Sequence, residues 1–495
     1  MSSIRSLAGQ TALYGLSSIV GRFLNYLLVP LYTRVFAPEA YGVVSEFYAY
    51  ATFLMVVFTY GMETALFHFS RKADNPESIY KNVLSTVTFS SVIISALLII
   101  FSKPLASSIG YAAHPEYITW FAMILAFDAI SSIPFAKLRL EEKAKKFAIY
   151  KLLNIIFNIG LNLFFLVFAK GLYEEGTKMG KLLYDPAIGV GYVFISNLAA
   201  SALSLLLFSS SVKTITLKVD GEMVKTMLRY SLPLMIAGFA GMINETLDRA
   251  IYKHLVPDKT IALHQLGIYS ACYKVAIVMT LFIQTFRYAA EPFFFSHSKK
   301  EKGRGLNAVV MNYFIAMCCL IFVGVTLYIN VFMYFVGEQF RVGAAVVPVL
   351  LMANLFLGVY IYLSLWYKLS GDTHFGAWFS IVGAIITIVL LLSLVPSFGY
   401  MGAAWATLIC YGLMMIISFI TGQKRYPIPY DLKAMIILVV AALIVYFINS
   451  KLQHVLTSFT LKESIKIILL LIYSSFAWKV IKASNLKISN SEKHD

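Results

Sequence analysis

Apolar blocks long enough to cross a bilayer recur along the whole chain, and only short segments separate them. No other feature restricts the fold as much. A membrane-spanning helix needs about 20 mostly apolar residues. Backbone groups in hydrocarbon must also find their hydrogen bonds within the protein, which leaves helices as the form such blocks can take. Candidate spans are 11–36, 41–69, 80–102, 117–138, 146–169, 188–210, 228–255, 266–296, 307–333, 343–369, 375–395, 399–421, 432–449 and 464–482. The chain therefore reads as an all-α integral membrane protein with about 14 transmembrane helices. The longest outward connection, KGLYEEGTKMGKLLYDPA at 170–187, is far shorter than the roughly 50 residues a folded domain requires. Any activity must reside within the membrane or at its faces.

Composition supports this reading. Charged residues make up 13% of the chain, against about a quarter in soluble domains. A net charge of +16 on a soluble protein would suggest nucleic acid, but here the basic residues sit mainly in alternate short loops. With the N-terminus in the cytoplasm, the inside loops carry Arg71, Lys72, Lys81, the LRLEEKAKK run, Lys213, Lys218, Lys225, the KKEKGR run, Lys424, Arg425 and the basic tail. About 26 of the 41 Lys and Arg fall inside and about 11 outside. This bias predicts an even number of spans, both termini in the cytoplasm and no nucleic-acid partner. The N-terminal MSSIRSLAGQ lacks a small-residue cleavage site, so the first span reads as retained. Cys272, Cys318, Cys319 and Cys410 lie in apolar segments without metal or disulfide spacing and read as packing residues.

The chain also repeats itself. TRVFAPEAYGVVSEF (33–47) corresponds to KHLVPDKTIALHQLGIYSACYK (253–274), FHFSRK (67–72) to FFFSHSKK (293–300), and AKLRLEEKAKKFAIYKLLN (136–154) to WYKLSGDTHFGAWFSIVGA (366–384). The offset is about 230 residues throughout. Two six-helix lobes are expected, 1–212 and 213–425, with two added helices and a basic tail in 426–495. Six spans per copy is even, so both copies enter from one face, related by a pseudo-two-fold axis along the membrane normal. Such halves are expected to leave a central cleft faced by spans one and seven. Pro30 and Pro233, with glycines nearby, are expected to let these two helices bend.

Charges within apolar spans are costly and mark functional positions. Arg22 lies in span one, with Asn25 one turn on. Span seven carries Asn244, Glu245, Asp248 and Arg249, and span eight carries Lys274, Arg287 and Glu291. Glu245–Arg249 and Arg287–Glu291 have i,i+4 spacing and can pair as ions. Arg22 and Lys274 have no opposite charge at that spacing in their own helices, so each needs a carboxylate from another helix or an anionic ligand. Structural pairing that fixes helix register is the alternative for these groups. Glu46, Glu63 and Arg34 lie near span ends and can reach the interface. Asp128 stands alone in span four and receives no role. His68, His254 and His264 lack a second ligand at helical spacing, so no metal site is expected.

PLYTRVFAPEAYG (30–42), SLPLMIAGFAGMINETLDRAIYKHL (231–255), LGIYSACYKVA (266–276) and EPFFF (291–295) resemble segments of bacterial polysaccharide flippases, the Wzx-type lipid-linked oligosaccharide translocases. The resemblance implies two six-helix lobes in a V, a fold shared with lipid II flippases and multidrug and toxin extruders. It implies a transporter rather than an enzyme, in the bacterial cytoplasmic (inner) membrane, serving O-antigen, lipopolysaccharide or capsule synthesis. Its substrate would be an undecaprenyl-diphosphate-linked oligosaccharide, turned to the outer leaflet by alternating access. Membrane lipid and a glycan polymerase or ligase would be partners, and no cofactor is implied.

On this view Arg22, Asn25, Asn244, Arg249, Lys274 and Arg287 are candidate headgroup-binding residues, since cations supply charge-assisted donors to phosphate oxygens. Glu245, Asp248, Glu291 and Glu63 are candidates for coupling to a proton or sodium ion. A lipid II flippase is a narrower alternative, weakened because Arg22 alone matches that family's early arginines. An ion-coupled drug exporter is another, weakened by Arg22 standing where those proteins often carry a carboxylate. A glycan-joining enzyme would need an acidic site on a long external loop, and no such loop occurs.

Overall fold

A computed structural model of the protein describes residues 20–21, 23–216, 218–297, 303–455 and 458–491. The described residues form helices without strands and divide into two compact units, Met1–Ala250 and Ile251–Asp495. The principal helices of the first unit are α1 (Leu28–Val35), α2 (Pro38–Thr59), α3 (Met62–Ser70), α4 (Pro76–Ile100), α5 (Ser102–Ser108), α6 (Pro115–Leu140), α7 (Ala144–Leu163), α8 (Gly191–Leu207) and α9 (Gly221–Ala250). Those of the second are α10 (Lys259–His297), α11 (Gly303–Leu327), α12 (Val346–Leu363), α13 (Leu365–Ser370), α14 (His374–Arg425), α15 (Leu432–Val455) and α16 (Phe459–Ser491).

Proline marks several starts. Pro38, Pro76 and Pro115 each open a helix, where the missing N–H has no intrahelical partner to lose and φ is already helical. Among the described residues, 11 helices are long and apolar enough to cross a membrane. One of these, α14, contains two of the expected spans. Gly399 adopts φ 54° and ψ −138°, and a Cβ on Gly402 would run into the Leu394 carbonyl. Two residues eight apart in a straight helix lie about 12 Å apart, so the chain reverses here. The sixth span, α8, follows a bent junction of 101° after Lys178–Ile188. The repeat is visible in the helix starts: α4 and α11 begin at 76 and 303, α6 and α12 at 115 and 346, α7 and α14 at 144 and 374.

The first unit's core joins Phe58, Met62, Leu66, Val83, Leu84, Val87, Leu125, Ala129 and Ile133 with Met227 of α9. Thus α9, expected to open the second lobe, lies against α2 and α3. The break between α2 and α3 makes room for it. Gly61 takes φ +74°, and a Cβ there would meet the Ser231 main-chain oxygen at 3.0 Å. Only glycine tolerates both the left-handed backbone and that approach. A second core cluster is aromatic: Phe47, Tyr117, Phe121 and Phe194 meet edge to face or tilted, with centroids 4.8–5.5 Å apart.

In the second unit α12 packs along α14 and α10, while the two added helices, α15 and α16, pack on α11 and on each other. A polar tie anchors them. The Asn312 amide donates to Ser484 Oγ (3.0 Å) and Asn485 Oδ1 (3.1 Å), and Ser484 donates to Asp431 (2.8 Å). All four cysteines are free and buried.

Candidate functional site

The expected site residues fall in three places. Arg22 lies outside the described residues, and Asn25 is exposed just before α1. Asn244, Glu245, Asp248 and Arg249 occupy the last turns of α9, in the first unit. Lys274, Arg287 and Glu291 lie on α10, in the second unit; the Glu291 side chain is not among those described.

The ion pair expected at the end of α9 takes a different form. Arg249 Nε stands 3.6 Å from Asp248 Oδ1, and its guanidinium also donates to the Glu245 main-chain carbonyl. The Glu245 carboxylate is exposed, whereas Asp248 is buried at 6% exposure. Helix rotation decides this: Asp248 faces the interior and keeps its neighbour's guanidinium near it.

On α10, the half-buried Arg287 lies 5.7 Å from the Tyr288 ring. It lines a small hollow within the second unit with Phe286, Phe314, Gly358, Ile361 and Tyr362. Gly358 allows that close helix approach, since a Cβ there would meet Ile283 Cδ1 at 2.8 Å. The hollow offers one cation among aromatic faces.

A larger polar feature crosses the first unit, and the search for charges at i,i+4 within single helices misses it. On α7, Lys151, Asn154, Asn158 and Asn162 occupy one arc of about 80°. On α8, Asn197, Ser201 and Ser204 share a face at i, i+4 and i+7. The two stripes meet. The Asn154 amide donates to the Ala200 carbonyl (2.7 Å) and to Ser204 Oγ (2.9 Å). Asn197 donates to the Tyr48 oxygen of α2 at 2.9 Å. Asn162, fully buried, donates to the Asn158 main-chain oxygen at 2.8 Å and accepts from the Tyr32 hydroxyl of α1 at 2.9 Å. A buried amide without partners costs several kcal/mol in an apolar medium; here each one is engaged, which fixes helix rotation.

Charge enters the seam from α6 and α7. Asp128 of α6, given no role from the sequence, is half-buried, with Ser201 of α8 and Lys151 of α7 near it. Asp128, Glu63 and Arg139 are the charged groups around Lys151. The Lys151 ammonium also sits 4.7 Å from the Phe135 ring centroid, a favourable cation–π placement. Glu63, a coupling candidate from the sequence, is paired with Arg139 at the end of α6. The Arg139 guanidinium is 5.1 Å from the Phe67 ring centroid. Glu63 and Arg139 are thus an ion pair of the first unit, with Asp128 and Lys151 as further charged groups near it. The signal was present as a polar stripe at helical period on α7, but its counter-charges lie on other helices.

Over residues 7–298, more than half of its length, the chain matches the family described as polysaccharide biosynthesis protein. It belongs to that family. The matched region contains the whole of the seam. Among characterised relatives, it is 19% identical over 423 residues to the probable low-salt glycan biosynthesis flippase Agl15 of Haloferax volcanii, covering 83% of this chain and 84% of that protein. Two solved structures have a similar fold. The lipid II flippase MurJ in an inward closed conformation matches with TM-score 0.67 at 16% identity, covering 94% of this chain and 99% of that one. An inward-facing multidrug resistance MATE family transporter matches with TM-score 0.58 at 15% identity, covering 84% and 94%. This member of the family is therefore a multi-pass membrane protein with the fold of these two, and its first unit holds the Glu63–Arg139 ion pair.

Proposed function

We propose that this protein is a flippase that moves a polyprenyl-diphosphate-linked oligosaccharide from the cytoplasmic to the outer leaflet of the bacterial inner membrane. The observation that carries the reading is family membership in a chain whose transmembrane helices hold cations beside hydrogen-bonding amides and phenols. A diphosphate and a sugar cannot cross hydrocarbon unaided. Lys and Arg supply charge-assisted donors to phosphate oxygens, and amides and tyrosine hydroxyls suit sugar hydroxyls. The relative from Haloferax volcanii, named as a glycan biosynthesis flippase, supports the same substrate class.

In this reading Arg22, Asn25, Asn244, Arg249, Lys274 and Arg287 face the headgroup at some stage of alternating access, while the prenyl tail stays in lipid. The excess of Lys and Arg in alternate loops supports cytoplasmic termini in this reading. Glu245, Asp248, Glu291 and Glu63 remain candidates for coupling to a proton or sodium ion, and a glycan polymerase or ligase would take the product. No bond is made or broken, so the protein acts as a transporter and not as an enzyme.

The test is export in cells deleted for the gene. Wild-type protein should restore outer-leaflet glycan, and Arg22→Ala with Arg249→Ala should leave the lipid-linked glycan on the inner leaflet at normal protein levels. Full export by that double variant would remove the anion-binding role of these residues. Resistance to cationic dyes without any effect on glycan would favour a drug exporter instead.

A further inference from the structure

We propose that the connection between α7 and α8 is an interfacial anchor, in which the short helix Lys178–Leu183 lies in the headgroup layer of the bilayer. Met179 and Leu182 enter the acyl boundary, and Lys178 and Lys181 contact the phosphates of anionic phospholipid. This goes beyond the flippase reading and depends only on the membrane-spanning fold, whatever substrate crosses.

The direction of the segment is the first observation. Lys178–Ile188 is bent by 101° from α8. A segment that meets a span at nearly a right angle runs along the bilayer surface rather than through it. Its depth follows from α7 and the helical continuation Phe164–Ala169. Leu163, Val167 and Phe168 there are exposed apolar side chains. That lipid-facing run ends at Lys170, which pairs with Glu174 at 3.7 Å. The short helix thus follows the end of an apolar span, at the level where hydrocarbon gives way to headgroups.

Its sides differ. Gly180 is buried, and a Cβ there would run into the Leu172 carbonyl. The Thr177 hydroxyl fixes the same contact, donating to the Leu172 carbonyl at 2.8 Å and accepting from the Gly180 N–H at 3.0 Å. One side is therefore seated on the turn Lys170–Glu174, and the other faces away from the protein. On that outer side Leu182 is 81% exposed and Met179 56%; three residues apart, they lie together. Lys178 and Lys181, also three apart and exposed, flank them. The carboxylates of the connection lie elsewhere. Glu174 is on Lys170, Asp185 accepts from the Ala187 N–H at 2.9 Å, and Glu175 is in the exposed turn before the helix.

Apolar tips beside lysines, on a helix parallel to the bilayer, suit a segment held in the interface by both apolar burial and attraction to anionic lipid. Lysine stems lie along apolar surface while their ammonium groups reach phosphates. A stack of rings ties this segment to the spans: Tyr184 lies on Tyr192 of α8 at 5.0 Å, and Tyr192 on Phe165 at 4.9 Å. The Tyr192 hydroxyl also accepts from the Asp185 N–H at 2.7 Å. The depth of the anchor therefore sets the depth of the seam between α7 and α8.

The experiment uses full-length protein in nanodiscs of phosphatidylcholine, with or without phosphatidylglycerol. All four native cysteines are buried, so Leu182→Cys supplies one accessible thiol for a nitroxide label, and unsubstituted protein gives the background. Glu175→Cys is the aqueous control. Collisions of the label with molecular oxygen, which concentrates in lipid, are compared with collisions with a neutral nickel chelate, which stays in water. The oxygen-to-nickel ratio at 182 should exceed that at 175 by about threefold or more. Met179→Cys should repeat the result and keeps the test decisive should Leu182→Cys fold poorly. Phosphatidylglycerol should raise the ratio at 182 by about twofold, and Lys178→Gln with Lys181→Gln should abolish that gain. Equal ratios at 175, 179 and 182 would overturn the proposal. Low collision rates with both reagents at 179 and 182 would overturn it as well, because a second copy or another protein would then cover this side. A ratio indifferent to phosphatidylglycerol would remove anionic lipid as the partner. None of these results bears on glycan export, so the flippase reading stands or falls separately.

Discussion

The Tyr32 hydroxyl donates to Asn162 Oδ1 at 2.9 Å, joining α1 to α7 across 130 residues of sequence. Asn162 is fully buried, and its amide nitrogen is already engaged by Asn158. The first helix is thus held to the seam by a phenol that closes a chain of amides. Tyr32→Phe would leave that amide oxygen without this donor, at a cost of about 1–3 kcal/mol. The melting temperature of the purified protein should fall. Adding Asn162→Leu should recover part of the loss, because both polar partners are then gone.

Glu46 is fully buried. It accepts from the Tyr50 hydroxyl at 2.6 Å and from the Tyr111 hydroxyl. Tyr111 lies in the connection between α5 and α6; burial first, then the Glu46 charge, pushes its phenol well above the ordinary value, so it stays a donor at any physiological pH. Glu46→Ala should destabilise the first unit by about 3 kcal/mol or more, because the buried Tyr111 phenol and the half-buried Tyr50 phenol lose their acceptor. Tyr111→Phe should act locally, and faster amide exchange confined to residues 102–114 would register it.

Gly402 faces the Leu394 carbonyl where α14 reverses. Gly402→Val would force the two arms apart, and overpacking of this kind costs about 1–3 kcal/mol. Gly324, around which an added Cβ would meet nothing within 4 Å, is the control: Gly324→Ala should leave the melting temperature unchanged or slightly raised. Equal effects at both sites would mean that the close approach is not what restricts position 402.

Asp431 sits at the start of α15, outside the apolar span. Partial burial works to raise it, but the Ser484 hydroxyl, the Ala434 N–H and nearby Lys487 together hold its carboxyl below the ordinary carboxylate value. A depressed folded-state value means that this contribution is complete above the ordinary carboxylate value and is lost as pH falls through the folded one. Acid should therefore loosen the attachment of α16 to α15 and α11 before the rest of the second unit. Amide exchange over 431–438 and 480–488, compared between mildly and strongly acidic buffers, would read this. Asp431→Asn should show the looser state already at neutral pH.

How far the sequence reaches is clear from particular elements. Spans, loop sizes, the repeat and the separation of 375–395 from 399–421 follow from residue order, because bilayer thickness fixes how many apolar residues a helix needs. The polar stripe Lys151, Asn154, Asn158, Asn162 was equally legible, since helical period alone puts those residues on one face. What sequence could not supply was the partner of each group. Glu63 meets Arg139 across 76 residues and Asn197 meets Tyr48 across 149. Arg249 turns to Asp248 although Glu245 has the textual spacing for a pair. Hydrophobic length is a property of one segment and survives in the sequence. Which charges compensate each other depends on how several helices rotate about their own axes when their apolar faces pack, and only the tertiary structure decides that.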